Sequence, residues 1–418
     1  MSRSYKTLLV IAELLALPFP ARAADLPIGD LPISVRLYGF LNAEIEWVRA
    51  LGGATPYAPR RRVSDGNSRF GIFGAWNLTP QTAVQVQLEA LLNNFVQGGV
   101  NDQGHFGTLA SRNSFVGVSD KRLGMLLAGY YDNAYRSLVG TGGGFGGNLG
   151  LTGLGLDLWN NTSAAVSGGF ANLFGRGESR LANSIHYHSP DLFGAHVALS
   201  YGFDEAEAAG GRRDRLSAAA LYKFHGFGVG LGFDHQANTG VDSDALLRGE
   251  GMRIGPVNDV STNFYKVIVS YAAPTGTYVG LGYERSVYGF ANFTQPGTGT
   301  VYSPIAYGTM SQGGAMASVA QAFEDLTLMG SFGKLGKLSD SIVGSGDDYQ
   351  ATQFSLGAKY AFGRPFMVYA YFTRVDNKPL QNINLGVPIY SNHLGTSEAF
   401  LAPGNNPMAG GIGLIARF

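Results

Sequence analysis

The chain has 418 residues, with 30 basic and 30 acidic side chains, so its formal net charge is zero. A neutral chain lacks the basic surface that nucleic-acid binding requires, and we therefore predict no nucleic-acid partner. The absence of cysteine excludes disulfides and thiolate metal sites. No run of about eighteen apolar residues occurs, so the sequence predicts no transmembrane helix.

Residues 1–23 have the features of a signal peptide, which would direct export through the inner membrane. Arg3 and Lys6 give a basic start, and Ala21-Arg22-Ala23 fits the small-x-small cleavage pattern. Glu13 departs from the pattern, because it lies inside the apolar run, and a wrongly assigned start residue or a cytosolic N-terminal helix is the alternative. Cleavage after Ala23 leaves residues 24–418 as a single domain. An exported, Gly-rich chain with few charges is either a secreted all-β protein or a transmembrane β-barrel.

The first predicted strand, Val35 to Trp47, alternates in polarity throughout. Leu37, Leu41 and Ile45 share one face, whereas Asn42, Glu44 and Glu46 share the other. Side chains of a strand alternate between its two faces, so period 2 predicts a strand. The segment is longer than the five or six residues typical of soluble strands, and it suits a tilted membrane strand of roughly 9–11 residues or more.

Fifteen further strands are predicted along the chain, and long connections alternate with short turns. They cover residues 68–77, 83–95, 113–119, 124–131, 180–188, 195–203, 215–224, 227–235, 263–272, 277–288, 312–321, 326–334, 349–361, 366–375 and 408–418. An even number of antiparallel strands with this rhythm of connections is typical of bacterial outer-membrane barrels. We therefore predict an all-β fold, a sixteen-stranded antiparallel transmembrane β-barrel with short periplasmic turns and long extracellular loops. A large soluble β-sandwich is the alternative.

One predicted strand shows a face suited to outer-membrane lipid. Phe227, Val229, Leu231 and Phe233 alternate there with glycines and Asp234. The longest connection, residues 132–178, is Gly-rich and contains a single internal acid, Asp157. A connection of this length without strand periodicity is uncommon in a compact domain and usually has a function.

Motifs for other chemistry are weak. Gly142-x-Gly144-x-x-Gly147 matches a dinucleotide fingerprint in spacing but lacks the βαβ frame, so we interpret it as a Gly-rich loop. His186 and His188 share one strand face, and without a third ligand we expect them to line the lumen. We predict no enzymatic activity, no cofactor and no metal. An outer-membrane β-barrel enzyme or an adhesin is the alternative function.

Several short segments, in this order along the chain, resemble the general Gram-negative porin family. They are Leu37–Gly39, Ser68–Gly74, Phe115–Gly117, Asn183–Pro190 and the terminal Gly413–Phe418. The resemblance implies a homotrimer of sixteen-stranded barrels in the bacterial outer membrane, with passive diffusion of ions and small hydrophilic solutes. It also implies that the third loop, residues 132–178, folds into the lumen. Phe418, as the last residue, would form part of the signal read by the barrel-assembly machinery.

The chain departs from the family pattern near the constriction. The family usually has Gly-Arg after the fifth strand, whereas Gly129 is followed here by Tyr130-Tyr131. Alternation nevertheless places five arginines on lumen faces, with Asp157 as the acid of the loop. The predicted channel-lining residues are Arg36, Arg69, Arg112, Arg180, Arg417 and Asp157. Rings of arginine favour anions. The wall acids Glu44, Glu46 and Glu89 oppose them, so a weak anion preference is expected.

Overall fold

The computed structural model describes residues 25–27, 33–53, 57–64, 68–92, 112–140, 173–205, 211–241, 254–291, 307–341, 344–363, 365–385, 401 and 403–418. The predicted signal peptide, residues 1–23, and Asp157 lie outside the described residues. No helix in the described part of the chain is long and apolar enough to cross a membrane.

Eighteen strands in the described ranges form a single antiparallel sheet. They are β1 Asp25–Pro27, β2 Ile33–Gly52, β3 Tyr57–Ser64, β4 Arg69–Asn77, β5 Thr82–Leu91, β6 Ser114–Asp120, β7 Gly124–Asp132, β8 Arg180–His188, β9 Ala195–Gly202, β10 Arg215–Phe224, β11 Phe227–Val241, β12 Ile254–Ala272, β13 Thr277–Ala291, β14 Tyr307–Phe323, β15 Leu326–Ser339, β16 Ala351–Phe362, β17 Phe366–Asn377 and β18 Asn405–Arg417. In the part of the chain that the structure describes, an α-helix, α1, spans Ala134–Val139, and a 3-10 turn spans Gly346–Tyr349. The all-β prediction is confirmed.

The number of strands differs from the predicted sixteen, and the difference lies in the partners of β2. On one side, β2 pairs with β4 over Ile33–Phe40 and with β3 over Glu44–Ala50, so β3 and β4 follow one another along the same neighbour. On the other side, residues Phe40–Gly52 of β2 pair with β18, and residues Ser34–Arg36 of β2 pair with the short β1. The prediction missed β1 and β3 because they lie outside the predicted strands, β1 before residue 35 and β3 in the connection between residues 47 and 68.

Several strands extend beyond their predicted ends because bulges interrupt the alternation. β11 continues to Val241 and β12 begins at Ile254, whereas the pattern ended at residue 235 and resumed at 263. The register shifts between Ala237 and Thr239, where Asn238 has a φ of 45°. An extra residue on one strand moves the following side chains to the other face, so the period-2 signal stops although the pairing continues.

Each strand separates its side chains between two faces. On β2, Leu41 and Ile45 are exposed, whereas Asn42, Glu44 and Glu46 are buried. Register partners share a face, so Ile412, opposite Ile45 on β18, is also exposed. We call the face of Leu41 and Ile45, continued through register partners, the apolar face, and the other the polar face.

A buried apolar cluster lies on the polar face, between the sheet and the described ends of the longest connection. Val139 of α1 and Leu173 and Phe174 near the far end belong to it, together with the sheet residue Ile268. Residues 133–140 and 173–179, which we call the inner segment, therefore pack on the sheet rather than extending away from it.

Candidate functional site

Asn133 starts the inner segment, and its side chain makes several hydrogen bonds. Its side-chain oxygen accepts a hydrogen bond from the N–H of Arg136 at 3.0 Å, which caps α1. Its amide nitrogen donates to Asp234 Oδ2 on β11 at 2.6 Å and to the carbonyl of Gly177 at 3.0 Å. One side chain thus begins the helix, attaches it to the sheet and ties the two ends of the inner segment together.

Glycines on the polar face give the inner segment its room. A Cβ at Gly230 or Gly232 would lie 2.7 or 2.6 Å from the methyl groups of Val139. At Gly282, a Cβ would lie 2.6 Å from the Phe174 ring. These distances are shorter than a Cβ atom tolerates. The inner segment can therefore contact β11 and β13 only because these positions have no side chain.

Glu89 of β5 collects the first group of arginines. Arg112 Nε lies 2.6 Å from its Oε1, and the Arg69 guanidinium lies 3.9 Å from its Oε2. The hydroxyl of Tyr38 donates to the same carboxylate at 3.0 Å. The cross-strand register of β4 and β5 produces this group, because Arg69 stands opposite Leu91, two residues beyond Glu89 on the same face.

Asp132, at the end of β7, collects the second group. Arg136 and Arg180 approach its Oδ1 at 2.9 and 3.2 Å. Asn113 donates to Asp132 Oδ2 and accepts from Arg180 Nε, both at 2.9 Å, which fixes the two side chains relative to each other. We call Arg69, Arg112, Arg136, Arg180, Glu89 and Asp132 the arginine cluster. Four guanidinium groups against two carboxylates give it a formal charge of +2.

The structure thus brings together three of the predicted channel-lining residues, Arg69, Arg112 and Arg180. Arg417 lies in the register row of Arg69, with Phe40 between them, and Arg36 lies further along β2. The sequence analysis missed Arg136. The sequence did contain a signal for Arg136. It lies four residues after Asp132, and oppositely charged side chains at this spacing meet on one face of a helix.

The sheet beneath the inner segment carries balanced charge. Arg176 pairs with Glu284, Lys266 with Glu178, and Arg215 with Asp234, so that three cations meet three carboxylates. This part of the polar face therefore has no net charge to oppose that of the arginine cluster.

His186 and His188 face the aromatic ring of Tyr131. The two ring nitrogens of His186 lie 2.7 Å from Ser184 Oγ and 2.8 Å from Ser200 Oγ, so hydrogen bonds satisfy this buried imidazole. Within the described ranges, no group of three or more His, Asp or Glu side chains is placed to hold a metal ion.

Phe418 exchanges two backbone hydrogen bonds with Gly39, at 3.0 and 3.1 Å, and so joins the end of the chain to its first long strand. A Cβ at Gly39 would lie 2.9 Å from the Phe418 ring. The absence of a side chain at position 39 therefore leaves space for that ring.

A single antiparallel sheet with an exposed apolar face, a charged polar face and a long connection whose described ends lie on that polar face defines a protein of the porin class. The profile of the Gram-negative porin family matches residues 7–380, and the chain belongs to this family. A comparison with curated protein sequences finds no match.

Solved structures of porins share the fold. The anion-selective porin from Comamonas acidovorans superposes with a TM-score of 0.64 at 16% identity, covering 92% of this chain and 100% of that chain. The trimer form of OmpT from Vibrio cholerae gives 0.59 at 16% identity, covering 92% and 99%. OmpF of Salmonella typhi, in complex with daunomycin, gives 0.55 at 16% identity, covering 93% and 98%. At this identity the similarity is one of fold.

Proposed function

We propose that the chain is a porin of the bacterial outer membrane, a water-filled channel through which ions and small hydrophilic solutes diffuse passively. The observation that carries the proposal is the course of the strand pairing. From β4 each strand pairs with the next as far as β18, β18 pairs with β2, and β2 pairs with β4. With β1 and β3 as extensions beside β2, this cycle supports a closed barrel of sixteen strand positions, which leaves no free edge in lipid.

The two faces of the sheet then become the outside and the lumen of the barrel. The apolar face, with Ile45 and Leu231 exposed, suits lipid, and the polar face suits water. The inner segment packs on the polar face, so this arrangement supports an inward-folding third loop over residues 132–178. A barrel of this size encloses an aqueous channel, and such a loop narrows it.

The arginine cluster supports a weak anion preference. Its formal charge is +2, whereas the charges of the polar face under the inner segment are balanced. Charged rings select ions of opposite sign. The acids within the cluster, Glu89 and Asp132, reduce the field without cancelling it. On the same face, Arg36 and Arg417 add positive charge, whereas Glu44 and Glu46 add negative charge, so the proposed preference is weak.

Location and assembly follow from the family. We propose export through a signal peptide at residues 1–23, with residues 24–418 forming a single domain, and insertion through the barrel-assembly machinery, which would read Phe418. A homotrimer is proposed because the family suggests it and because the OmpT structure is of a trimer form. Membership of a porin family favours a channel over the alternative of an outer-membrane enzyme or adhesin.

Reconstitution of the folded protein in planar bilayers tests the channel. We expect stepwise increases in ion conductance, in groups of three if the inserting unit is a trimer. A protein that runs as a folded barrel on a heat-modifiability gel but gives no conductance steps would contradict the proposal.

A further inference from the structure

Lys266 lies beneath the inner segment, on the polar face of β12. Its register partners are Gly232 on β11 and Glu284 on β13. The side chain is fully buried, and its ammonium group pairs with Glu178 of the inner segment and lies 3.6 Å from Glu284 Oε2. Burying an ammonium group costs free energy unless the group is paired and hydrogen-bonded. The contacts with Glu178 and Glu284 therefore allow Lys266 to be buried in its charged form.

Two aromatic rings complete the surroundings of the ammonium group. The Lys266 nitrogen lies 4.5 Å from the ring centre of Tyr135 and 5.0 Å from that of Phe174. Cations are attracted to ring faces at this distance. Burial, with the carboxylates of Glu284 and Glu178 nearby, raises the pKa of Tyr135 well above its ordinary value, so the phenol stays neutral.

These three partners come from both ends of the inner segment. Tyr135 belongs to α1, near the start, whereas Phe174 and Glu178 lie near the end. A second cation, Arg176, acts at one end only: it donates to Glu284 Oε1 at 2.8 Å and to the Tyr288 hydroxyl at 3.1 Å. Lys266 is therefore a sheet residue whose charged group contacts both ends at once.

We infer that Lys266 is a positioning residue, which holds both ends of the inner segment on the sheet and so fixes the width of the channel. The claim that Lys266 fixes the width of the channel rests on the proposed channel function. Attachment of the inner segment is measurable without conductance.

The first experiment uses the absence of cysteine in the chain. Val139 is fully buried in α1, so a cysteine placed there, in Val139→Cys, is the single thiol and reacts when α1 leaves the sheet. We expect Lys266→Met in this background to speed maleimide labelling of the folded barrel about a hundredfold. That factor corresponds to about 2.8 kcal/mol at 1.4 kcal/mol per tenfold, just below the range of roughly 3–5 kcal/mol for breaking a buried ion pair by removing one partner.

Lys359→Met is the matched control. Lys359 is a lysine of β16, and its removal changes the net charge of the protein by the same amount. It should leave the labelling rate unchanged. If Lys266→Met labels no faster than Lys359→Met, while both run as folded barrels, the positioning role is overturned.

The second experiment restores the attachment covalently. A Cβ at Gly230 would lie 3.7 Å from the Val139 Cβ, which is within the range of about 3.5–4.5 Å for a disulfide. In the triple variant Val139→Cys, Gly230→Cys and Lys266→Met, the oxidised channel should pass a steady current. Reduction should raise the current fluctuations severalfold, whereas the double cysteine variant with Lys266 intact should stay steady in both states.

The outcomes separate the two proposals. Faster labelling in Lys266→Met with no conductance from the parent protein would support the attachment and overturn the channel. Normal conductance from the parent protein, with labelling and current fluctuations that do not respond to Lys266→Met, would overturn the positioning role alone.

Discussion

Replacing Arg69 and Arg112 together by alanine reduces the formal charge of the arginine cluster from +2 to 0, because Glu89, Asp132, Arg136 and Arg180 remain. The two arginines are suited to a joint test, since both pair with Glu89, at 3.9 and 2.6 Å. The substitution leaves Tyr38 as a hydrogen-bond donor to that carboxylate at 3.0 Å. The expected result is a channel that has lost its anion preference.

The size of the effect follows from the charge. At about 8 Å in water, two unit charges attract an anion by about 1 kcal/mol. Salt at about 0.1 M, with a Debye length of about 10 Å, reduces this attraction to roughly half. A cation is repelled by the same amount, so the difference between the two ions is about 1 kcal/mol, or a permeability ratio of about five. The double substitution should lower this ratio to about one.

The assay is the zero-current potential across a planar bilayer with a salt gradient. Arg122→Ala with Arg374→Ala is the matched control, because it also removes two positive charges but at exposed side chains that pair with Asp120 and Asp376. The control should keep the potential of the parent protein. An unchanged potential in the Arg69 and Arg112 variant, or a parent protein that already prefers cations strongly, would refute the assignment of selectivity to the arginine cluster.

Two further predictions concern assembly and packing. Deleting Phe418 removes its two backbone hydrogen bonds to Gly39, and should lower the amount of folded protein in the outer membrane while leaving single-channel conductance unchanged; equal membrane yields would contradict this. Gly232→Val places a side chain against Val139 and the Tyr135 ring, and should lower the free energy of unfolding in urea by about 1–3 kcal/mol. Gly74→Val, where a Cβ would meet no atom within 4 Å, is the control and should have no such effect.

The alternation of side chains predicted most of the strands because it reports a physical boundary between lipid-suited and water-suited faces. The same rule failed where the chain departs from strict alternation. The register shift between Gln312 and Gly314 comes from an extra residue on β15, whose predicted end was residue 334 although the strand continues to Ser339. Bulges preserve pairing and change only the face, so periodicity alone underestimates strand length.

The contacts of the candidate site were predictable only in part. Alternation assigned Arg69, Arg112 and Arg180 to one face, but it gave no information about which acids they meet. The pair of Lys266 and Glu284 could have been predicted from the sequence. Ala272 and Tyr278 pair beside the turn, and Lys266 lies six residues before Ala272 just as Glu284 lies six residues after Tyr278. The contact of Lys266 with Tyr135 could not have been predicted in this way, since it joins residues that are distant in the chain and depends on how the inner segment lies.

The charge pattern explains why the wall sets the proposed selectivity. In the inner segment, Glu178 forms an ion pair with Lys266, and Arg176 forms one with Glu284. On the adjoining sheet, Asp234 forms an ion pair with Arg215 and accepts a hydrogen bond from Asn133. Each of these acids serves to attach the inner segment and is neutralised by doing so. The arginine cluster has fewer acids than arginines, so its excess charge persists. Three of its four arginines, Arg69, Arg112 and Arg180, lie outside the inner segment, so the residues that attach the inner segment are largely different from those proposed to set selectivity.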